Sequence, residues 1–126
     1  MGIWTIFAIG CGGFLGAVSR FLVASRISLW LDSSFPYGTL VVNALGSFLL
    51  GFLSRFLLDH MILDDTIRIG ILVGFLGAFT TFSTFSYETI VLMQDGDFWG
   101  ASINSIVSLL LCLTLCFLGF QLAKAV

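Results

Sequence analysis

The polar residues of this chain that could do chemistry lie inside long apolar segments. The clearest is Asn43, in the segment "YGTLVVNALGSFLLG", with Thr39 and Ser47 four residues away on either side and on the same helical face. A carboxamide offers two N–H donors and an acceptor oxygen, and burying a polar group in hydrocarbon without a partner is costly. Asn43 therefore indicates either a structural hydrogen bond between helices or a donor that faces a polar path across a membrane.

The densest group of polar residues is the segment "GFLGAFTTFSTFSYET", residues 74–89. Its hydroxyls fall on every side of a helix, so they cannot all serve one interface. Gly74, Gly77 and the β-branched pair Thr80–Thr81 favour a break in this helix. A break at membrane depth frees backbone carbonyls, which must be satisfied by protein, water or an ion. If two antiparallel copies met at such a break, their converging carbonyls would suit a small hard cation.

Phenylalanines recur at every third position of the same segment, at Phe79, Phe82 and Phe85. Ordinary apolar packing is the simplest explanation of such a stripe. An aromatic ring also has a positive edge and a negative face, so ring edges aimed at a narrow passage would attract an anion without the trapping effect of a full positive charge. Neighbouring hydroxyl and amide donors would replace the water that the anion loses. The pattern therefore favours an anion pore.

A second polar stripe runs along the last apolar segment. Asn104, Ser108 and Cys112 follow one another at four-residue spacing and share a helical face. A single serine in a membrane helix often bonds its own backbone, but a stripe that faces the stripe of Asn43 is more consistent with a polar path.

Catalytic chemistry has little support in the sequence. His60 is the only histidine, and it falls in a predicted loop where no nucleophile, base and orienting group can be assembled around it. The cysteines fall inside apolar segments, which is typical of packing residues rather than disulfides or zinc ligands. We therefore predict that the chain is not an enzyme, and we expect no nucleic-acid partner.

The elements that carry these residues are predicted to be membrane helices. The chain has 126 residues, of which 59% are hydrophobic and 10% charged, and a soluble domain of this size cannot hide so much apolar surface. Uncharged windows approach the ~20 residues that a helix needs to cross the hydrocarbon core. We predict a single all-α integral membrane domain over residues 1–126, with four transmembrane helices, the third broken mid-span. The predicted spans are about 3–27, 37–58, 67–94 and 98–123.

The positive charges are almost equally divided between the two sides of the membrane, so they do not predict one orientation. With four spans, Arg55, Arg68 and Lys124 lie on the side of the termini, and Arg20 and Arg26 lie on the opposite side. Membrane proteins usually orient by an excess of Lys and Arg on the cytoplasmic side. The balance reflects either the small number of charges or insertion in both orientations. In the second case, two copies would form an antiparallel homodimer, a symmetry that recurs around midplane sites.

Three segments together resemble the Fluc (CrcB-type) fluoride channels. They are "GGFLGAVSRF", "YGTLVVNALGSFLLG" and "GFLGAFTTFSTFSYET", and their order, their spacing and the four-span length match over most of the chain. The resemblance implies a dual-topology antiparallel homodimer in the bacterial inner membrane. It also implies that fluoride leaves the cytoplasm passively through two parallel pores in each dimer.

The same resemblance implies roles for individual residues. A central structural Na+ is expected on the backbone carbonyls of Gly77 and Thr80, and Arg20 is expected toward a vestibule. Phe79 is expected outside the pore. The pore-lining positions that the resemblance implies are Asn43, Phe82, Phe85, Ser83, Thr84 and Ser108.

Two other functions remain open from the residues. A small proton-coupled multidrug transporter is also a four-helix dual-topology dimer, but that class needs a carboxylate in the middle of its first span, and this first span has none. The in-span charges are Arg20 and Glu88, which lie at similar predicted depth and could pair or line a vestibule. The other alternative is a membrane subunit that transports nothing.

Overall fold

The computed structural model describes residues 2–60 and 63–126, and within them the secondary structure is helical. Over these ranges, four helical segments are long and apolar enough to cross a bilayer, which confirms the predicted all-α architecture. They are the first helix (Ile3–Leu31), the second helix (Tyr37–His60), the third span (Asp65–Gln94) and the fourth helix (Phe98–Ala125). The 29-residue first helix is about 43 Å long at the usual rise per residue.

The helix ends follow local signals. The first helix continues past predicted residue 27 because no Gly or Pro interrupts it, and it ends where Asp32 adopts a left-handed conformation with φ 43°. Asp64 caps the start of the third span by accepting a hydrogen bond from the Thr66 N–H at 2.8 Å. Asp97 caps the fourth helix by accepting from the Gly100 N–H at 2.8 Å. Aspartate at the N-cap satisfies a backbone donor that has no partner within the helix.

The first helix packs on the early part of the third span through glycine. A Cβ atom on Gly12 would overlap the carbonyl oxygen of Gly70, and one on Gly16 would overlap the carbonyl oxygen of Phe75. Small residues let helix backbones approach closely in lipid, where dispersion replaces the hydrophobic effect as the attraction between helices.

The second helix packs most extensively on the fourth helix. A Cβ atom on Gly51 would overlap the Cys116 carbonyl oxygen, and one on Gly119 would overlap the Phe48 carbonyl oxygen. The bundle therefore consists of two close helix pairs, and the late part of the third span lies against the second and fourth helices.

The third span is interrupted, as predicted, but not where the glycines suggested. Its leading segment (residues 65–79) contains a π-helical stretch at Gly70–Leu76 and a last α-helical turn at Gly77–Phe79. Thr80 and Thr81 are extended, with φ/ψ of −86°/157° and −152°/119°. The trailing helix (Phe82–Gln94) then begins.

The break predicted from Gly77 to Thr80 is therefore wrong at its glycine end. Gly77 is helical, with φ −62° and ψ −34°, and the backbone leaves the helix at the β-branched pair. The π-helical stretch was not predicted. We refer to Thr80 and Thr81 as the break.

Candidate functional site

Asn43 of the second helix is hydrogen-bonded to the break. Its Nδ2 donates to the Thr81 carbonyl oxygen at 2.9 Å, and the Thr81 N–H donates to its Oδ1 at 2.7 Å. Both interpretations of Asn43 therefore stay compatible with the structure. One N–H of the carboxamide holds the third span, and the other is chemically available for a further acceptor.

The Thr81 side chain is the centre of a small hydroxyl cluster. It is buried, and its Oγ1 accepts from the Thr84 N–H at 3.2 Å, which caps the trailing helix. The same Oγ1 donates to the Thr84 Oγ1 at 3.0 Å and lies 3.3 Å from the Ser83 Oγ. The hydrogen bonds thus join Asn43, Ser83 and Thr84 through one residue, Thr81, which was absent from the predicted site.

Phe82 and Phe85 form a pair of rings at the start of the trailing helix. Their centroids lie 5.4 Å apart and the ring planes are inclined by 46°. Phe82 is 78% exposed on the single chain. Phe79 differs from both, because it is 5% exposed and stacks on Phe75 at 6.0 Å.

The polar stripe of the fourth helix is joined to the trailing helix by hydrogen bonds. The Ser108 hydroxyl donates to Asn104 Oδ1 at 3.3 Å, and Asn104 Nδ2 donates to Thr89 Oγ1 at 2.9 Å. The Thr89 hydroxyl in turn donates to the Phe85 carbonyl oxygen at 2.8 Å. Asn104 is 1% exposed. This chain links Ser108 to the backbone of Phe85, so the two are parts of one network.

Backbone oxygen becomes available on the N-terminal side of the break. In an unbroken helix the Thr81 N–H would donate to the Gly77 carbonyl four residues earlier, but it donates to Asn43 instead. The Thr80 N–H and hydroxyl both donate to the Leu76 carbonyl oxygen, each at 3.1 Å. Gly77 is exposed and Thr80 is half-buried. The two residues whose carbonyl groups the resemblance assigns to Na+ are therefore not fully buried in the single chain, and neutral oxygen is a suitable donor for a hard cation.

Glu88 contacts the second helix rather than Arg20. Its Oε1 accepts a hydrogen bond from the Thr39 hydroxyl at 2.8 Å. Its Oε2 is buried without a hydrogen-bond partner among the residues that the structure describes. The half-buried Arg20 belongs to the first helix. Of the two alternatives for these charges, a direct ion pair between Arg20 and Glu88 is not found among the described residues.

The second helix thus presents one face to the whole middle of the third span. Thr39 reaches the trailing helix, Asn43 reaches Thr81 of the break, and Gly46 leaves room for Thr80 of the break. A Cβ on Gly46 would overlap the Thr80 methyl group. Ser47 points elsewhere, beside the Cys112 thiol of the fourth helix.

The arrangement can supply hydrogen-bond donors and aromatic edges to an anion, and backbone oxygens to a cation. The predicted site residues did not include Thr81 and Thr89, although Thr81 was part of the predicted helix break. Thr81 carried a usable signal, since a threonine three residues before Thr84 at the start of a helix is a common N-cap. Thr89 carried none, because its role depends on the position of Asn104 in another helix.

Comparisons with known proteins agree on one family. The family model described as "CrcB-like protein, Camphor Resistance (CrcB)" matches residues 7–120, a range that includes every predicted site residue. The chain is 45% identical over 120 residues to a protein of Geobacter metallireducens named fluoride-specific ion channel FluC, covering 95% of this chain and 97% of the relative.

Two further relatives carry the same name. The protein of Campylobacter lari is 45% identical over 125 residues, covering 97% of this chain and 99% of the relative. The protein of Elusimicrobium minutum is 47% identical over 121 residues, covering 95% and 94%.

Proposed function

We infer that this chain is a fluoride channel, because it belongs to the CrcB-like protein family and its curated relatives are named fluoride-specific ion channels. It is accordingly an integral, multi-pass membrane protein and a channel rather than an enzyme. The proposal extends further, to the residues that line the path, the assembly and the direction of transport. The observation that carries this extension is the exposed face around the break.

The anion path is proposed to follow the donors and rings beside the break. Asn43 and Thr84 each keep a hydrogen that the bonds described above do not use, and the Phe82 and Phe85 edges add positive potential without a fixed charge. Ser83 and Ser108 complete the polar lining. Such a lining exchanges water for weak, closely spaced contacts, which is the condition for an ion to enter and also to leave.

The break face also supports an antiparallel homodimer. Gly77, Phe82 and Ser83 are exposed on the single chain, yet irregular backbone at membrane depth is tolerated only where protein or a water-filled cavity covers it. A second copy in the opposite orientation would cover this face with the same face, around a twofold axis in the membrane plane. The near balance of positive charges between the two sides permits both orientations.

A sodium ion on the dimer axis is proposed to hold the two breaks together. Carbonyl oxygens of Gly77 and Thr80 from both copies would provide four neutral ligands, and the ion would stabilise backbone dipoles that otherwise face one another. The ion's role here is structural. Arg20 is proposed to lie at a vestibule, where a positive charge raises the local concentration of anions.

The direction of transport is proposed to follow the gradient, out of the cytoplasm and across the inner membrane. Fluoride crosses the membrane from an acidic exterior as the neutral acid and dissociates in the cytoplasm. A passive path for the anion is therefore sufficient to lower the cytoplasmic fluoride concentration. The chemistry needs no coupled ion, and the first span has no carboxylate that could bind one.

The test is fluoride efflux from liposomes that contain the purified chain, followed with a fluoride electrode. Efflux of fluoride through a channel should require valinomycin, which lets K+ leave the vesicles and compensate the charge. The efflux should persist without a proton gradient. Efflux that needs a proton gradient and is abolished by Glu88→Gln would instead support the proton-coupled transporter. Vesicles that leak no more fluoride than protein-free liposomes would contradict the fluoride channel.

The assembly has a separate test. In a background where the native cysteines are replaced, Gly77→Cys should form a disulfide-linked dimer on mild oxidation, because symmetric copies bring this position near its own mate. Gly10→Cys is the matched control, because a side chain at this position of the first helix meets open space. It should stay monomeric on a non-reducing gel. The reverse pattern would rule out the break-to-break interface.

A further inference from the structure

The break poses a specific problem of hydrogen bonding. Thr80 and Thr81 are extended in the middle of a membrane span, so the Thr81 N–H and carbonyl have left the helical pattern. Each unpaired backbone group in hydrocarbon costs several kcal/mol. The break therefore exists only if a partner outside the helix satisfies both groups.

Asn43 satisfies both groups at once because of the shape of an extended residue. In antiparallel strands, a residue in a hydrogen-bonded pair exchanges its N–H and its C=O with one residue opposite. The Asn43 carboxamide takes the place of that opposite residue, accepting from the Thr81 N–H at 2.7 Å and donating to the Thr81 carbonyl at 2.9 Å. We call this two-bond contact the Asn43–Thr81 pair.

The pair is specific to a short carboxamide. A serine or alanine cannot supply both an acceptor and a donor at this spacing, and aspartate in its ionised form supplies only an acceptor. Room for the contact comes from Gly46, one turn further along the second helix, where any side chain would overlap Thr80. The sequence N-x-x-G thus brings the second helix and the break into register.

We propose that Asn43 is a positioning residue that fixes the backbone of the break, in addition to lining the path. By holding the Thr81 N–H, it keeps the helical bond to Gly77 open and leaves the Gly77 carbonyl free. By holding the Thr81 carbonyl, it sets where the Thr81 hydroxyl meets Ser83 and Thr84. One side chain therefore couples the carbonyl side of the break to the hydroxyl side. The part of this inference that concerns Na+ rests on the proposed function, whereas the part that concerns the backbone does not.

The experiment measures hydrogen exchange and the carbonyl resonance of Thr81 by NMR, on the full chain in lipid nanodiscs. Asn43→Ala should raise the exchange rate of the Thr81 amide at least about tenfold. Asn43→Asp, measured at a pH at which its carboxylate is ionised, keeps an acceptor and loses the donor. Its Thr81 amide should stay within about threefold of the wild type, while the Thr81 carbonyl resonance moves upfield. The Asp variant tests the inference even where the Ala variant does not fold.

Asn104→Ala is the matched control, because it also removes a buried carboxamide with an interhelical bond but lies away from the break. It should lower general stability without changing the exchange of the Thr81 amide relative to that of other amides in the trailing helix. The second readout is the apparent Kd for sodium, obtained from the dependence of the melting temperature on sodium concentration, which should rise at least about fivefold in Asn43→Ala and stay unchanged in Asn104→Ala.

Two results would overturn the inference. One is a Thr81 amide in Asn43→Ala that is as protected as in the wild type, and the other is an unmoved Thr81 carbonyl resonance in Asn43→Asp. Neither measurement requires transport, so a chain that conducts no fluoride but shows the expected exchange would contradict the proposed function and leave the backbone role of Asn43 standing. A stabilisation by sodium that is equal in all variants would remove the coupling to the cation.

Discussion

The Thr39 hydroxyl donates to Glu88 Oε1 at 2.8 Å and so joins the second helix to the trailing helix of the third span. Glu88 is a carboxylate within a span, and such a group can indicate proton coupling. One of its oxygens is instead engaged in a hydrogen bond between helices. The bond lies on the same face of the second helix as the Asn43–Thr81 pair. Together the two contacts hold the break and the trailing helix in one register against the second helix.

The first prediction concerns the stability contributed by this bond. Thr39→Val keeps the shape of the side chain and removes the donor, so the free energy of unfolding should fall by roughly 0.6–1.7 kcal/mol, from the average to the largest value of hydrogen bonds between membrane helices. Unfolding in mixed micelles with a rising fraction of SDS measures it. Thr39→Ser keeps the hydroxyl and should be close to the wild type. A double-mutant cycle of Thr39→Val with Glu88→Ala that shows no coupling energy would mean that the bond contributes nothing.

The second prediction concerns close contacts between helix backbones. Gly51→Ala would place a Cβ against the Cys116 carbonyl, and since a backbone atom cannot rotate away, the helices must separate. The expected loss is about 1–3 kcal/mol of unfolding free energy, as for other overpacked sites. Gly10→Ala is the control, because its Cβ meets nothing within 4 Å, and it should be neutral or slightly stabilising. Equal stability of the two variants would contradict the packing.

The third prediction concerns the aromatic edges. Phe82→Leu and Phe85→Leu keep an apolar side chain but remove the ring, so the rate of fluoride efflux should fall by about tenfold or more, equivalent to about 1.4 kcal/mol in the barrier. Phe117→Leu, at a 59% exposed position of the fourth helix, is the matched control and should keep the wild-type rate. If the three variants conduct equally, the rings only pack.

The fourth prediction concerns the cation. Sodium bound to the folded dimer should raise its stability by RT ln(1 + [Na+]/Kd), or about 2.7 kcal/mol at a hundred times Kd. Thermal unfolding of the dimer in detergent, with Na+ exchanged for choline at constant ionic strength, measures the effect. A melting temperature that does not depend on Na+ would argue against a bound ion at the break.

The helices themselves were predictable from the sequence, because the uncharged windows are long and a helix is the simplest way to satisfy backbone groups in lipid. The interruption of the third span was also predictable, since Thr80–Thr81 follow a glycine-rich segment. The break lies later than predicted, and Gly77 remains helical. The backbone leaves the helix at the β-branched pair Thr80–Thr81, because Asn43 of the second helix is there to bond the freed groups of Thr81. The π-helical stretch at Gly70–Leu76 carries no comparable signal in a single sequence.

The contacts of the site were less predictable than its members. Asn43 was identified from its polarity in an apolar segment, but its partner Thr81 depends on how two helices are placed against each other. The same holds for Asn104, whose bond to Thr89 crosses between helices. Polarity therefore marks residues that must have partners, whereas the identity of the partner is decided by tertiary packing.

The most direct test of the account compares fluoride and chloride efflux from the same liposomes under the same valinomycin-driven K+ current. The account predicts rapid fluoride efflux with chloride close to the protein-free leak, because the chain belongs to a family whose relatives are named fluoride-specific ion channels. Chloride efflux as fast as fluoride efflux would contradict a fluoride-selective path.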